Sequence, residues 1–149
     1  MNRTTTIGAR KHGGRVQSRG PVRAAVDRFV VAILASPARG RLARSLVVLR
    51  VRGTRTGRVF QFPVQFARQG DTFVLAPGRP AAKTWWRNLR KPASIRVLVD
   101  GEWMPGVAVA LTPADTDYLP FRLAYRRRWP TVPLTATNPL VVVRLAPGL

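Results

Sequence analysis

The chain has 149 residues, with 26 Lys plus Arg against 6 Asp plus Glu and a formal net charge of +20, a balance that attracts anions such as nucleic acid, an anionic membrane surface, or a small molecule bearing phosphate or carboxylate. It has no cysteine and a single histidine, His12, which excludes thiol catalysis and disulfide staples and argues against a His-based triad or a multi-histidine metal site. The length suits one domain burying about two-thirds of its unfolded surface.

Residues 1–20 carry Arg3, Arg10, Lys11, Arg15 and Arg19, no acid and little that is apolar. That is the composition of a disordered basic arm. The arm lacks the apolar core of a signal peptide and a twin arginine, so a cytoplasmic protein is expected. Residues 21–149 read as a single domain. In residues 21–36, Val22, Val26, Phe29, Val30, Ile33 and Leu34 recur at helical spacing while Arg23, Asp27 and Arg28 lie off that stripe. Pro21 suits the first turn. This helix is expected to pack on the core, and together with the basic arm it is a candidate for peripheral contact with an anionic membrane. Residues 37–44 read as a basic connector.

Residues 46–66 alternate on both sides of a turn. Val47, Leu49 and Val51 run inward, and Phe60, Phe62, Val64 and Phe66 run back, with Gln61 and Gln65 on the other face. Period two with one buried face predicts a hairpin. Its turn is Gly53-Thr54-Arg55-Thr56-Gly57, followed by Arg58. Glycine permits positive φ and a close approach, so N–H groups and a guanidinium can converge there on an anion. The plainer reading is a solvated hairpin tip.

Farther on, Gln69-Gly70-Asp71 predicts a turn and residues 72–76 a third strand. Residues 81–92, AAKTWWRNLRKP, predict a short helix stopped by Pro92. Residues 94–99, with Ile95, Val97 and Val99 on one face, and residues 102–111 predict two strands joined at Asp100-Gly101. Pro105-Gly106 inside the second suggests an edge or a bulge. Thr112 and Pro113 predict an N-cap and first position of a helix that Pro120 kinks or shortens. Arg126, Arg127 and Arg128 read as its solvated basic end. After a loop, residues 140–145 form a last strand. The order of elements predicts an α+β fold whose mostly antiparallel sheet closes or splits into a barrel.

That order and two motifs resemble the deazaflavin-dependent nitroreductase and quinone reductase family, over residues 46–145. The first motif is Gly53-Thr54-Arg55-Thr56-Gly57 with Pro63 in the next strand. The second is Trp85-Trp86-Arg87-Asn88-Leu89 with Pro92. The resemblance implies a split β-barrel of the FMN-binding type, with an N-terminal helix and two further short helices. It also implies coenzyme F-420, a deazaflavin with a phosphate and an oligoglutamate tail, as cofactor, and hydride transfer to a quinone, nitro compound or enone. Carried over by position, Gly53, Thr54, Arg55, Thr56, Gly57 and Arg58 would cradle the phosphate. Pro63, Pro77, Gly78, Arg79, Lys83, Trp85, Trp86 and Asn88 would border the cofactor, and Tyr125 is a candidate proton donor. A homodimer is also implied. Phe60, Gln65 and Pro77 stand where the family often has Arg, Tyr and Ser.

Two other classes stay open on the sequence. One is a related barrel binding FMN, FAD, haem or a fatty acid without turnover. The other is a nucleic-acid-binding protein, for which charge is the whole case. No nucleic-acid motif is present, and the aromatics sit at apolar sheet positions apart from the arginines, so only non-specific attraction that falls with salt is expected.

Overall fold

Seven antiparallel strands make one sheet in the computed structural model, which describes residues 21–78, 80 and 85–146, with the backbone alone for 21–24 and 26. The strands are β1 (Leu46–Arg52), β2 (Val59–Gln65), β3 (Ala67–Gln69), β4 (Thr72–Leu75), β5 (Ala93–Val99), β6 (Glu102–Leu111) and β7 (Leu140–Leu145). Their spatial order is β2-β1-β5-β6-β7-β4-β3. The two edge strands, β2 and β3, are consecutive in sequence and separated only by Phe66. Two trans peptide steps span at most about 7.6 Å, so the edges must come together and the sheet must curl into a barrel. The Phe66 N–H donates to the Ser45 carbonyl at 3.1 Å and holds this corner.

The barrel interior takes one face of each strand. Val47, Leu49 and Val51 of β1, Phe62 of β2, Phe73 and Leu75 of β4, Ile95 and Val97 of β5, and Val141 and Val143 of β7 form one buried cluster, with Phe60, Val64 and Phe66 packed against it. This is the face the alternation in 46–66 predicts. The other face is also buried under helices, which the alternation did not show. Helix α1 (Pro21–Leu34) brings Leu34 onto Val48 and Leu98, and helix α2 (Tyr118–Arg128) brings Tyr118 and Tyr125 onto Val74, Leu140 and Ala67. Strands covered on both sides lose their alternation and become continuous apolar runs, as in TFVL and LVVV. Each fully buried Val, Leu or Phe contributes roughly 1.5–3 kcal/mol. The expected α+β, mostly antiparallel barrel fold therefore stands.

Several local expectations are corrected. Residues 37–44 are two 3₁₀ turns on either side of Gly40 (φ 37°), capped by the Ser36 hydroxyl, rather than a plain connector. A short strand, β3, precedes the 70–71 turn. Pro105-Gly106 is neither edge nor bulge, because β6 is a central strand in continuous register with β5 and β7. Pro105 is tolerated because it lies just past the end of β7: its carbonyl accepts from the Ala146 N–H at 2.9 Å, and the return bond that its missing N–H cannot make falls beyond the paired strand. Gly106 is needed there, since a Cβ would lie 3.0 Å from the Arg144 carbonyl. Helix α2 starts at Tyr118, not at Thr112. The Asp115 carboxylate accepts from the Thr112 N–H at 2.8 Å and closes a turn instead. Pro120 then falls in the first helical turn, where a backbone N–H would have no intrahelical acceptor, so its lack of one costs nothing and it produces no kink.

Arginines and aromatics, expected apart, meet both across the sheet and at the end of α2. Arg50 of β1 lies 4.1 Å over the Trp103 ring of β6, and Arg128 lies 4.0 Å over its neighbour Trp129. Arg126 is not a solvated end. Its guanidinium donates to the carbonyls of Trp129, Pro130 and Val132 and ties down the loop after α2. Among the described residues no helix is long and apolar enough to cross a membrane. The expected basic arm, 1–20, lies outside the described residues.

Candidate anion site at the 53–57 turn

The turn between β1 and β2 is held from three sides, and the bonds that hold it decide which of its donors remain available. The Gly53 N–H donates to the Arg58 carbonyl at 2.7 Å, and the Gly57 N–H donates to the Gly53 carbonyl at 3.0 Å. The Arg58 N–H donates to the Thr56 hydroxyl oxygen at 3.2 Å. Asn88 supplies the third support: its side-chain oxygen accepts from both the Thr54 N–H (3.3 Å) and the Thr54 hydroxyl (3.1 Å). Among the described residues the N–H groups of Arg55 and Thr56 are left without a partner. Both residues are exposed at the tip, and the Thr56 hydroxyl keeps its proton to donate. Two adjacent backbone donors, a hydroxyl and a guanidinium are the donor types that hold an anion such as phosphate.

Glycine is required at the second end of the turn and sterically favoured at the first. Gly57 has φ 73°, where a side chain is strained. Gly53 is buried, and a Cβ there would lie 3.2 Å from the Phe60 ring and 3.4 Å from the Arg58 carbonyl. Arg52 adds a brace missed in the sequence, donating to the Gly57 carbonyl at 3.1 Å. Arg58 lies 5.9 Å over Phe60. Pro63 lies on β2, an edge strand, opposite Val48 of β1, and an edge is where a sheet tolerates proline.

Asn88 belongs to the 3₁₀ helix Trp85–Leu89, whose indoles plug the barrel. Trp85 and Trp86 are 6% and 8% exposed, and Trp85 packs on Phe62 with ring centroids 4.7 Å apart. They are core side chains that present little surface. The Trp86 indole N–H donates to the Pro80 carbonyl at 3.0 Å, tying the preceding loop to this helix. On the other side of that loop, Pro77 is buried and its carbonyl accepts from the Asn138 side-chain amide at 3.1 Å. Asn138 was not singled out in the sequence, and a lone Asn in a loop gives no signal of burial. Gly78 is exposed, with open space around its Cα. Arg79 and Lys83 lie outside the described residues.

Tyr125 is not brought to this group. Its ring is buried under α2 in a cluster separate from the barrel interior. Burial raises its pKa above the ordinary 10.0, and the neighbouring Arg126 charge works in the opposite direction. The unfolded chain therefore releases this proton first as pH rises. The stability held in the protonated phenol is complete below about pH 10 and is lost as pH climbs toward the folded pKa. Tyr125→Phe should leave the melting temperature near neutral pH almost unchanged and flatten the alkaline fall measured in melts between about pH 9 and 11. An unaltered alkaline slope would show that this phenol does not drive it.

The structure also separates the turn from a groove of about 980 Å³ at the opposite end of the β1–β2 hairpin, bordered by residues 66–69 and by α2.

Residues 23–146 match the family model described as F420H(2)-dependent quinone reductase. None of the curated proteins compared matches the chain. Among solved structures, one described as an F420-H2-dependent reductase (FDR-A) aligns with a TM-score of 0.52 at 15% identity, over 68% of this chain and 95% of its own. Another, described as a domain-swapped dimer, aligns with a TM-score of 0.56 at 13% identity, over 84% of this chain and all of its own. At these identities the likeness is one of fold.

Proposed function

The chain belongs to the F420H(2)-dependent quinone reductase family, and from that premise we propose that it is a reductase holding coenzyme F-420 by its phosphate at the 53–57 turn and delivering hydride to a small quinone, nitro compound or enone. The observation that carries the reading is the pair of unpartnered N–H groups on Arg55 and Thr56, next to the Thr56 hydroxyl and the Arg55 guanidinium, on a turn braced by Asn88. When bound, the deazaflavin supplies the hydride chemistry, and the protein's part is to bind, orient and exclude water.

Each residue in this reading has a physical task. Arg55 offers a planar fork that pairs two oxygens of one phosphate, which a lysine cannot do. Arg58, one residue beyond the turn, adds a second positive charge. Asn88 fixes Thr54, so the tip does not have to become ordered when the anion arrives, and that lowers the entropic cost of binding. Trp85, Trp86 and Phe62 close the barrel beneath the turn and keep water from that side. Arg79 and Lys83, close in sequence to Gly78 and Trp85, bring two further positive charges to that stretch of the chain. The reading includes a cytoplasmic location and a homodimer, which cell fractionation and sedimentation test directly.

Binding is the first test. Titrating the purified protein with coenzyme F-420, FMN and FAD, and following tryptophan quenching, should give saturable binding of the deazaflavin at least about tenfold tighter than of either flavin, a difference of about 1.4 kcal/mol. Tighter binding of FMN would overturn the assignment.

A further inference from the structure

We propose that the groove at the end of the barrel opposite the 53–57 turn is a second binding site, and that it takes a small amphiphilic anion: a free molecule with an apolar body and one sulfonate, carboxylate or phosphate head. The proposal does not rest on the reading of the turn. The groove is open to solvent on one side and has a volume of about 980 Å³, room enough for a small molecule at the roughly 300–1,000 Å³ scale of such sites. Its floor is apolar, with Phe66 and Phe73 from the barrel corner and Val99 from the end of β5.

Helix α2 forms one wall, and the face it turns there is not packed on the sheet. Leu119, Leu123 and Arg127 follow one another at four-residue spacing, and Pro120, Ala124 and Arg128 run beside them. That face is apolar toward its start and basic toward its end. Leu119 is 59% exposed and Leu123 49%, an unusual state for two leucines on one helix face beside a cavity. Arg44, Arg68, Arg127 and Arg128 also line the groove, and Asp100 is its one acid. That carboxylate already faces Arg39 at 3.4 Å, outside the lining, so the four arginines are not balanced from within. An apolar floor and wall ending in unbalanced guanidiniums complements a tail with an anionic head.

Charge also argues against other occupants. The 1–20 arm brings Arg3, Arg10, Lys11, Arg15 and Arg19 without an acid, and a second copy brings another +20. Both place like charge against the four arginines.

The test uses the full chain and decanesulfonate kept below its micelle concentration, followed by heteronuclear NMR. One saturable site is expected, with shifts concentrated at Ala43, Phe66, Val99 and Leu123 and not at residues 53–57. Decyltrimethylammonium, with the same tail and the opposite charge, should not saturate. Leu123→Glu and Arg127→Glu change exposed side chains and should each weaken decanesulfonate by about tenfold or more, the scale of one lost charge-assisted or apolar anchor. Arg96→Glu, an equal charge change on the outer face of β5, should weaken it by less than about threefold, the scale of an exposed, screened charge. Equal binding of the cationic probe, shifts centred on the 53–57 turn, or equal losses from Arg96→Glu and Arg127→Glu would each overturn the proposal. So would binding to vesicles of anionic lipid, lost in Leu123→Glu, with no binding of the free decanesulfonate, since the face would then be a membrane contact.

Discussion

Arg55→Ala is expected to weaken coenzyme F-420 binding by about ten- to a hundred-fold, the equivalent of one charge-assisted hydrogen bond at roughly 1.5–3 kcal/mol, while the melting temperature stays close to that of the parent. Arg55 is exposed at the tip, and the bonds that hold the turn come from Gly53, Gly57, Arg58 and Asn88, so the turn survives its removal. Arg55→Lys should recover part of the affinity, because it restores the charge without the two-pronged fork. The control is Arg41→Ala, an exposed arginine in the 37–44 segment at the other end of the barrel. Arg126, similar in charge, would mislead as a control because three carbonyls depend on it. Equal losses from Arg55→Ala and Arg41→Ala would assign the affinity to the overall field of a +20 protein, and no loss from Arg55→Ala would return the turn to a solvated hairpin tip.

Asn138→Leu is expected to cost about 2–5 kcal/mol, and to lower the melting temperature by roughly 4–20 °C for a chain of this size. Asn138 is 2% exposed. Its amide donates to the carbonyls of Pro77 and Pro139, each at 3.1 Å, and its oxygen accepts from the Thr135 N–H at 3.4 Å. Its own carbonyl accepts from the Tyr118 hydroxyl, so one residue links the loop after β4, the start of α2 and the start of β7. Leucine is of similar volume and makes none of the side-chain bonds, which leaves buried polar groups unpaired at about 1–3 kcal/mol each. A melting temperature within about one degree of the parent would show that water or a rearranged loop replaces the amide. At a temperature where the variant is folded, deazaflavin affinity should fall too, because the Pro77 segment loses its anchor. Unchanged affinity in a destabilised variant would remove Pro77 from the site.

The sequence carried those features that a few neighbouring residues determine. Period two in residues 46–66 located β1, β2 and the barrel-facing side chains, because a strand's geometry sends alternate side chains to opposite faces. Asp100 and Gly101, at φ 51° and 85°, form the tight turn that Asp-Gly predicts. The 140–145 strand and the glycine-bounded turn at 53–57 were legible for the same reason. Tertiary structure alone decided the rest, because it depends on partners distant in the chain. Val48 reads as the polar-side position of an alternating strand until α1 covers it. Pro105 reads as an edge until β7 is seen to stop one residue short of it. Thr54 reads as a free donor until Asn88, 34 positions away, takes it. That contact leaves Arg55 and Thr56 as the donors open to an anion. A sequence shows that a turn has donors to give, and the fold decides which ones remain, because a buried or braced N–H is satisfied by whichever acceptor the packing brings near.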